Sequence, residues 1–245
     1  MARLYMMSDP HGRLDVLKQA LAFCDLSEPG NRVFLLGDYV PHKTYADDEA
    51  AFVKRCSECL AFVKGFCEAH RGQVVALMGN HEHDLLEDVR EGRRSLDRGL
   101  VKWMRGLPLF HETEWQVLVH AGVDEEAGDL WHVGTDEGIL LGKHPATFGA
   151  FHKDIVAGHN GTYKIARTAG EAIGFNGALW DGQSHYFIDG STERSGVIPI
   201  LRFDTETRRY AAYSATAEGV TCDGAPYVPS GLDNSGGYGQ DGEWW

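Results

Sequence analysis

Residues 32–43 read Arg-Val-Phe-Leu-Leu-Gly-Asp-Tyr-Val-Pro-His-Lys (RVFLLGDYVPHK). A short apolar run broken by Gly and followed at once by a carboxylate is the pattern of a buried strand that delivers Asp38 at its end. The same grammar recurs in both directions along the chain. ARLYMMSDPHG (2–12) ends in Asp9 and His11, and QVVALMGNHE (73–82) in Asn80 and His81. EWQVLVHAG (114–122) ends in His120, and KDIVAGHNG (153–161) in His159. RLDVLKQALAFCDL (13–26) and the stretch near 47–70 carry apolar residues at helical spacing between these runs. Strand and helix in alternation predict a mainly parallel sheet, and in such sheets the carboxyl ends of the strands line one crevice. Polar tags spaced by about one strand–crossover–strand unit are therefore expected to converge. A single Asp or His after a strand is usually a turn residue; the whole set, flanked by Gly or Pro, points to a site.

SHYFIDG (184–190), GVIPILRFD (196–204) and RRYAAYS (208–214) add short β runs. The predicted folded domain spans 1–215, and the Gly/Ser/Asp-rich stretch 216–245, ending in Trp244-Trp245, is predicted as a weakly ordered tail.

The chain has 245 residues and a formal charge of −13, which argues against a sequence-independent grip on nucleic acid and against binding anionic membranes. No stretch approaches a membrane span, and the N-terminal apolar run is too short for a signal h-region, so a cytoplasmic location is expected. The odd count of five cysteines suggests reduced thiols, and Cys56-x-x-Cys59 falls on the apolar stripe of a helix, as core rather than as a metal or redox site.

Mixed Asp/Asn/His donors suit borderline or hard divalent cations. Two such cations sharing a carboxylate are a recurring device for phosphoester hydrolysis, and Asp38, on a central strand, is the candidate bridge. SDPHG, GDYV, GNHE, HAG and GH, in that order over residues 3–205, resemble the calcineurin-like metallophosphoesterases, and within them the bacterial phosphoprotein-phosphatase-type branch. That resemblance implies an α/β fold, a four-layer αββα sandwich with a dinuclear centre at the strand ends. It implies Asp9 and His11 on the first metal, Asp38 bridging, and Asn80, His120 and His159 on the second. It further implies His81 as the group that protonates the leaving oxygen or steadies the phosphoryl group, with a metal-bridging hydroxide as nucleophile. Manganese is the first expectation for the metals, with iron, zinc or cobalt as alternatives.

The branch normally writes GDYVDRG, whose Asp orients the catalytic histidine and whose Arg grips phosphate. Here Pro41 and His42 stand at those positions, and His42 and Lys43 are the candidate phosphate contacts. Arg binds phosphate through a rigid fork, and His does not. The segment DLWHVGTDEGILLGKHP (129–145), where the branch carries a further arginine, has none; His132 and Lys143 are its nearest polar substitutes. His83 and Asp84 are expected on an exposed helical turn. The expected activity is metal-dependent hydrolysis of a phosphomonoester, on a phosphoprotein or a small phosphorylated metabolite. Hydrolysis of dinucleoside polyphosphates and a non-catalytic metal- or phosphate-binding module are the alternatives.

Overall fold

In the computed structural model, the described residues are 2–42, 48–170 and 174–232. In chain order, β1 (Arg3–Met7), α1 (Leu14–Phe23), β2 (Arg32–Leu35), α2 (Glu49–Ala69) and β3 (Val74–Ala76) are followed by α3 (Asn80–Arg90) and α4 (Arg98–Met104). Next come β4 (Phe110–Glu112), β5 (Gln116–Val119), a 3₁₀ turn at Glu125–Leu130, α5 (Trp131–Gly134), α6 (Glu137–Gly142), β6 (Asp154–Ala157) and α7 (Thr162–Thr168). The chain closes with β7 (Leu179–Trp180), β8 (His185–Phe187), α8 (Thr192–Ser195), β9 (Ile198–Asp204), β10 (Arg209–Thr216) and β11 (Gly219–Gly224).

The strands form two sheets, ordered β11-β10-β9-β1-β2-β3 and β4-β5-β6-β8-β7. β1, β2 and β3 run parallel, as do β5, β6 and β8, while β9, β10 and β11 join antiparallel on the free side of β1. The sheets are thus mixed rather than mainly parallel, because the last three strands meander by hairpins instead of crossing over helices.

Alternation along the strands builds the layers. Leu4, Met6, Phe34 and Leu36 from one sheet meet Leu118, Val156 and Tyr186 from the other. Tyr5, Met7, Val33 and Leu35 point the opposite way, against Leu17 of α1, Cys56 and Leu60 of α2 and Met104 of α4. Val117, Val119 and Ile155 back onto Trp131 and Leu140, and Phe187 onto Ile165 of α7. Helices, sheet, sheet, helices is the four-layer sandwich expected. Each large aliphatic side chain so buried stabilises it by roughly 1.5–3 kcal/mol.

Cys56 and Cys59 are buried on α2 without a disulfide, and burial pushes both thiols up to about 12, so they are core groups.

Part of the stretch expected as a tail from residue 216 is a strand, and residues 233–245 lie outside the described residues. β11 pairs with β10 through a tight turn ending at Gly219 (φ 144°), and Tyr227 bridges to Leu179 of β7. β11 is an edge strand with Thr221, Cys222 and Asp223 exposed, so it has no apolar alternation by which to be recognised. Trp244 and Trp245 lie outside the described residues. Among the described residues no helix is long and apolar enough to cross a membrane.

Candidate metal centre

The loops after β1, β2, β3, β5 and β6 meet at one edge shared by the two sheets. The first two are zipped together by backbone: Asp9 N–H donates to Gly37 O (3.2 Å), His11 N–H to Asp38 O (3.0 Å) and Gly12 N–H to Tyr39 O (3.0 Å). Asp9, His11, Asp38 and His159 have φ between 41° and 59°, the left-handed region that non-glycine residues enter only when their surroundings compel it. Two glycines leave room for the carboxylates so placed. A Cβ on Gly79 would lie 2.2 Å from Asp38 Oδ1, and one on Gly158 would lie 2.1 Å from Asp9 Oδ2. Each carboxylate therefore packs against bare backbone. It also accepts a backbone hydrogen bond there, from His81 N–H to Asp38 Oδ1 (3.0 Å) and from His159 N–H to Asp9 Oδ2 (3.1 Å).

Asp38 faces two groups of donors. Its Oδ1 is 3.5 Å from His120 Nε2, which is 2.9 Å from Asn80 Oδ1, itself 3.1 Å from His159 Nδ1. Its Oδ2 is 3.7 Å from His11 Nε2 and 3.8 Å from His81 Nε2, and His11 Nε2 is 3.7 Å from Asp9 Oδ1. Ligands about 2.0–2.2 Å from a common divalent ion are separated by roughly 3–3.5 Å, so these spacings are close to those of two ligand shells sharing one residue. The imidazoles are oriented for it. His120 Nδ1 is 2.8 Å from Leu36 O and His11 Nδ1 is 3.3 Å from Val40 O, which leaves Nε2 of each ring aimed inward.

The electrostatics also fit cations. Burial first, and then the charge of Asp189, joined by Asp38 for Asp9 and by Asp84 for Asp38, hold the Asp9 and Asp38 carboxyls well above the usual carboxylate range. Burial lowers His11 to about 3 and His159 to about 4, so the rings are neutral and offer lone pairs. Asp9 Oδ1 is buried with no hydrogen-bond partner. Crowded, desolvated carboxylates with an orphan oxygen and neutral imidazoles are a costly arrangement that divalent cations would relieve.

The cleft in front of this cluster holds about 400 Å³ and is lined by Asp9, His11, Asp38, His42, Asn80, His81, His159, Tyr163, Lys164, Asp189, Ser191, Glu193 and Arg194. His42 is in it, with its ring 5.1 Å from the ring of His81. Lys43 lies outside the described residues. Neither substitute considered for the second arginine lines it: Lys143 is paired with Glu125 and bonded to Val123 O, and His132 is exposed on α5. His83 makes ion-pair contacts to Asp84 and Glu137 on the outer side of α3, as expected.

Two further residues belong to the site, and only the first escapes a reading of strand ends. Glu82 is fully buried and accepts N–H bonds from Asp38 (2.8 Å), Tyr39 (2.8 Å), Val40 (3.1 Å) and Gly79 (3.1 Å), tying the β2 loop to the start of α3. Asp189, at the end of β8, is buried in the cleft, and burial pushes it up to about 6. Its run, HYFIDG, obeys the same rule as the other strands.

Known proteins bear on this geometry. A solved structure described as a putative diadenosine tetraphosphatase is 13% identical, with a TM-score of 0.51 over 86% of this chain and 93% of that one. A protein serine/threonine phosphatase from Saccharomyces cerevisiae is 13% identical, with a TM-score of 0.59 over 88% of this chain and 80% of that one. At such identities the likeness is one of fold. A symmetrical bis(5'-nucleosyl)-tetraphosphatase from Aromatoleum aromaticum is 26% identical over 123 residues, which cover 49% of this chain and 44% of the relative, less than half of its length. The family model for calcineurin-like phosphoesterases matches residues 2–197, a span that takes in every strand-end ligand candidate described above, and the chain therefore belongs to the calcineurin-like phosphoesterase family.

Proposed function

We propose that this protein hydrolyses phosphomonoesters, on a phosphoprotein or a small phosphorylated metabolite, with two divalent cations, manganese first among the candidates. The observation that carries the reading is the position of Asp38 between two donor groups, His11 and His81 on one side and His120 and His159 on the other. Asp9, 3.7 Å from His11, and Asn80, between His120 and His159, are proposed to complete the two shells, with His81 kept as the proton donor. Cations held there supply Lewis-acid neutralisation of phosphoryl oxygens and lower the pKa of water.

The chain's own part is to fix geometry and move a proton. Backbone donors lock Asp38 and Asp9, so the carboxylates are aimed before substrate arrives. His81, at the start of α3 with its Nε2 beside Asp38, is the side chain suited to deliver a proton to the leaving oxygen near neutral pH. His42, on the same wall, is a candidate phosphate contact.

A cleft of about 400 Å³ whose described lining is chiefly carboxylate, imidazole, amide and cationic side chains supports a phosphoryl group as the part of the substrate that is bound there. Hydrolysis of dinucleoside polyphosphates is the second reading, favoured by the relative from Aromatoleum aromaticum. The test is to load the protein with Mn²⁺ and compare rates on a phosphopeptide, 4-nitrophenyl phosphate and diadenosine tetraphosphate. Faster turnover of either monoester is expected. Preference for the tetraphosphate would establish the second reading, and hydrolysis of none would leave a binding module.

A further inference from the structure

The loop that follows β2 presents His42 to the cleft, with Pro41 buried before it, and neither brings a guanidinium. The cleft is otherwise rich in carboxylates: Asp9, Asp38, Asp189 and Glu193 all line it. A dianionic phosphoryl group entering it needs fixed positive charge beyond any metal, and needs donors whose geometry matches its oxygens. Among the described lining residues such charge comes from Lys164 of α7 and Arg194 of α8.

The segment bearing Arg194 is held rigidly. Ser191 (φ 51°) and Gly196 (φ 70°) bracket α8 in left-handed conformation. Ser191 N–H donates to Asp189 Oδ1 (2.7 Å), Thr192 Oγ1 to Val197 O (2.9 Å) and Ser195 Oγ to Gly190 O (2.7 Å). Glu193 then clips this segment to the opposite loop. Its side chain is only 11% exposed, it accepts the His42 N–H at Oε2 (3.1 Å), and Arg55 of α2 stands 3.6 Å from its Oε1. Residue 194 is thus presented by a short, braced turn to the cleft that His42 and His81 also line, with its own side chain exposed.

We infer that Arg194, with Lys164 on the His159 side of the cleft, grips the phosphate of the substrate, and that α8 supplies the guanidinium which the loop after β2 lacks. Glu193 carries no phosphate contact in this arrangement; it holds α8 against His42. The inference deepens the phosphomonoesterase reading and rests on it for the identity of the substrate.

Binding of inorganic phosphate to the Mn²⁺-loaded protein, followed by calorimetry, tests it apart from turnover. Arg194→Ala is expected to weaken phosphate binding about 10- to 100-fold, the worth of a hydrogen bond to a charged group. The KM for 4-nitrophenyl phosphate should rise by a similar factor, with kcat changing less. Arg194→Lys, which keeps the charge and loses the fork, should fall between, and Lys164→Ala should show a smaller loss of the same kind. Arg167→Ala, a cation of α7 outside the cleft lining, is the control for general charge and should bind phosphate as the parent does. Phosphate affinities of Arg194→Ala and Lys164→Ala within twofold of the control would overturn the inference, as would a parent protein that binds no phosphate. If the parent binds phosphate but cleaves no monoester, the substrate reading fails while the phosphate affinities still decide the role of Arg194.

Discussion

At the scale of single residues, Asp38 and His81 are proposed to do different work although they are only 3.8 Å apart. Asp38 offers one oxygen to each donor group, so halving its ligand capacity should affect both. Asp38→Asn is expected to lose both metals together, and elemental analysis after dialysis checks it; two tightly held ions in that variant would rule out a shared ligand. His81 contributes an imidazole whose neighbours are the rings of His11 and His42, at 4.8 Å and 5.1 Å, and the Asp38 carboxylate. His81→Ala should retain the metal content of the parent and lose turnover by about 10²–10⁴, the usual contribution of a positioned acid. Metal loss in parallel with activity would instead make His81 a ligand. The ligand candidates were legible because each follows an apolar run and is flanked by Gly, Pro or Ala. Asp189 obeyed that rule and still went unassigned, because its strand, HYF, begins with a buried histidine rather than a long apolar run.

At the scale of elements, the site depends on how closely strand-end loops approach. Gly79 is the N-cap of α3 (φ −103°), so its conformation is open to any residue; space is what restricts it. A Cβ there would come within 2.3 Å of the Asp38 backbone nitrogen and 2.2 Å of its Oδ1. Gly79→Ala must therefore push the β2 loop away from α3, breaking the bonds that Glu82 and His81 N–H make to Asp38. We expect a folded protein whose metal affinity falls at least tenfold, measured by competition with a chelator, alongside an unchanged far-ultraviolet circular dichroism spectrum. Parent-like metal affinity would mean that the loop adapts without moving Asp38. Such close approach cannot be read from a linear pattern. The glycine is visible in GNHE, but the carboxylate that it accommodates lies some forty residues away. The same holds for Glu82, which looks like a first-turn helix residue and is in fact a fourfold acceptor for loop N–H groups.

At the scale of the whole molecule, most of the sandwich was legible because its strands are apolar runs bounded by turns, and the alternation Leu4/Met6 against Tyr5/Met7 assigns them to two buried faces. What was not legible is made by polar groups that meet only in three dimensions. The outer side of the second sheet contains one such assembly, remote from the strand-end ligands. His185 lies 3.2 Å from Asp181 Oδ2 through Nδ1 and 3.3 Å from Glu125 Oε1 through Nε2, and Glu125 also pairs with Lys143 and accepts from Thr147 Oγ1 (2.7 Å). Burial alone would lower His185, but the hydrogen bonds and charges of Asp181 and Glu125 hold it up to about 9. Burial would raise Glu125, and its bonds from His185, Lys143 and Thr147 bring it down to about 2. A histidine raised in the folded state stabilises fully below its unfolded pKa, near 6.5, and loses that contribution as pH climbs through 9; the depressed glutamate contributes above its unfolded value and loses it as pH falls toward 2. The contribution of this cluster should therefore be greatest between about pH 5 and 6.5 and decline by an amount on the order of 3 kcal/mol toward pH 9.5. Urea unfolding of the metal-free protein at pH 6 and 9.5 measures this. In His185→Asn the alkaline decline should shrink markedly, because the titrating proton is gone; a decline of undiminished size in that variant would assign it to other groups.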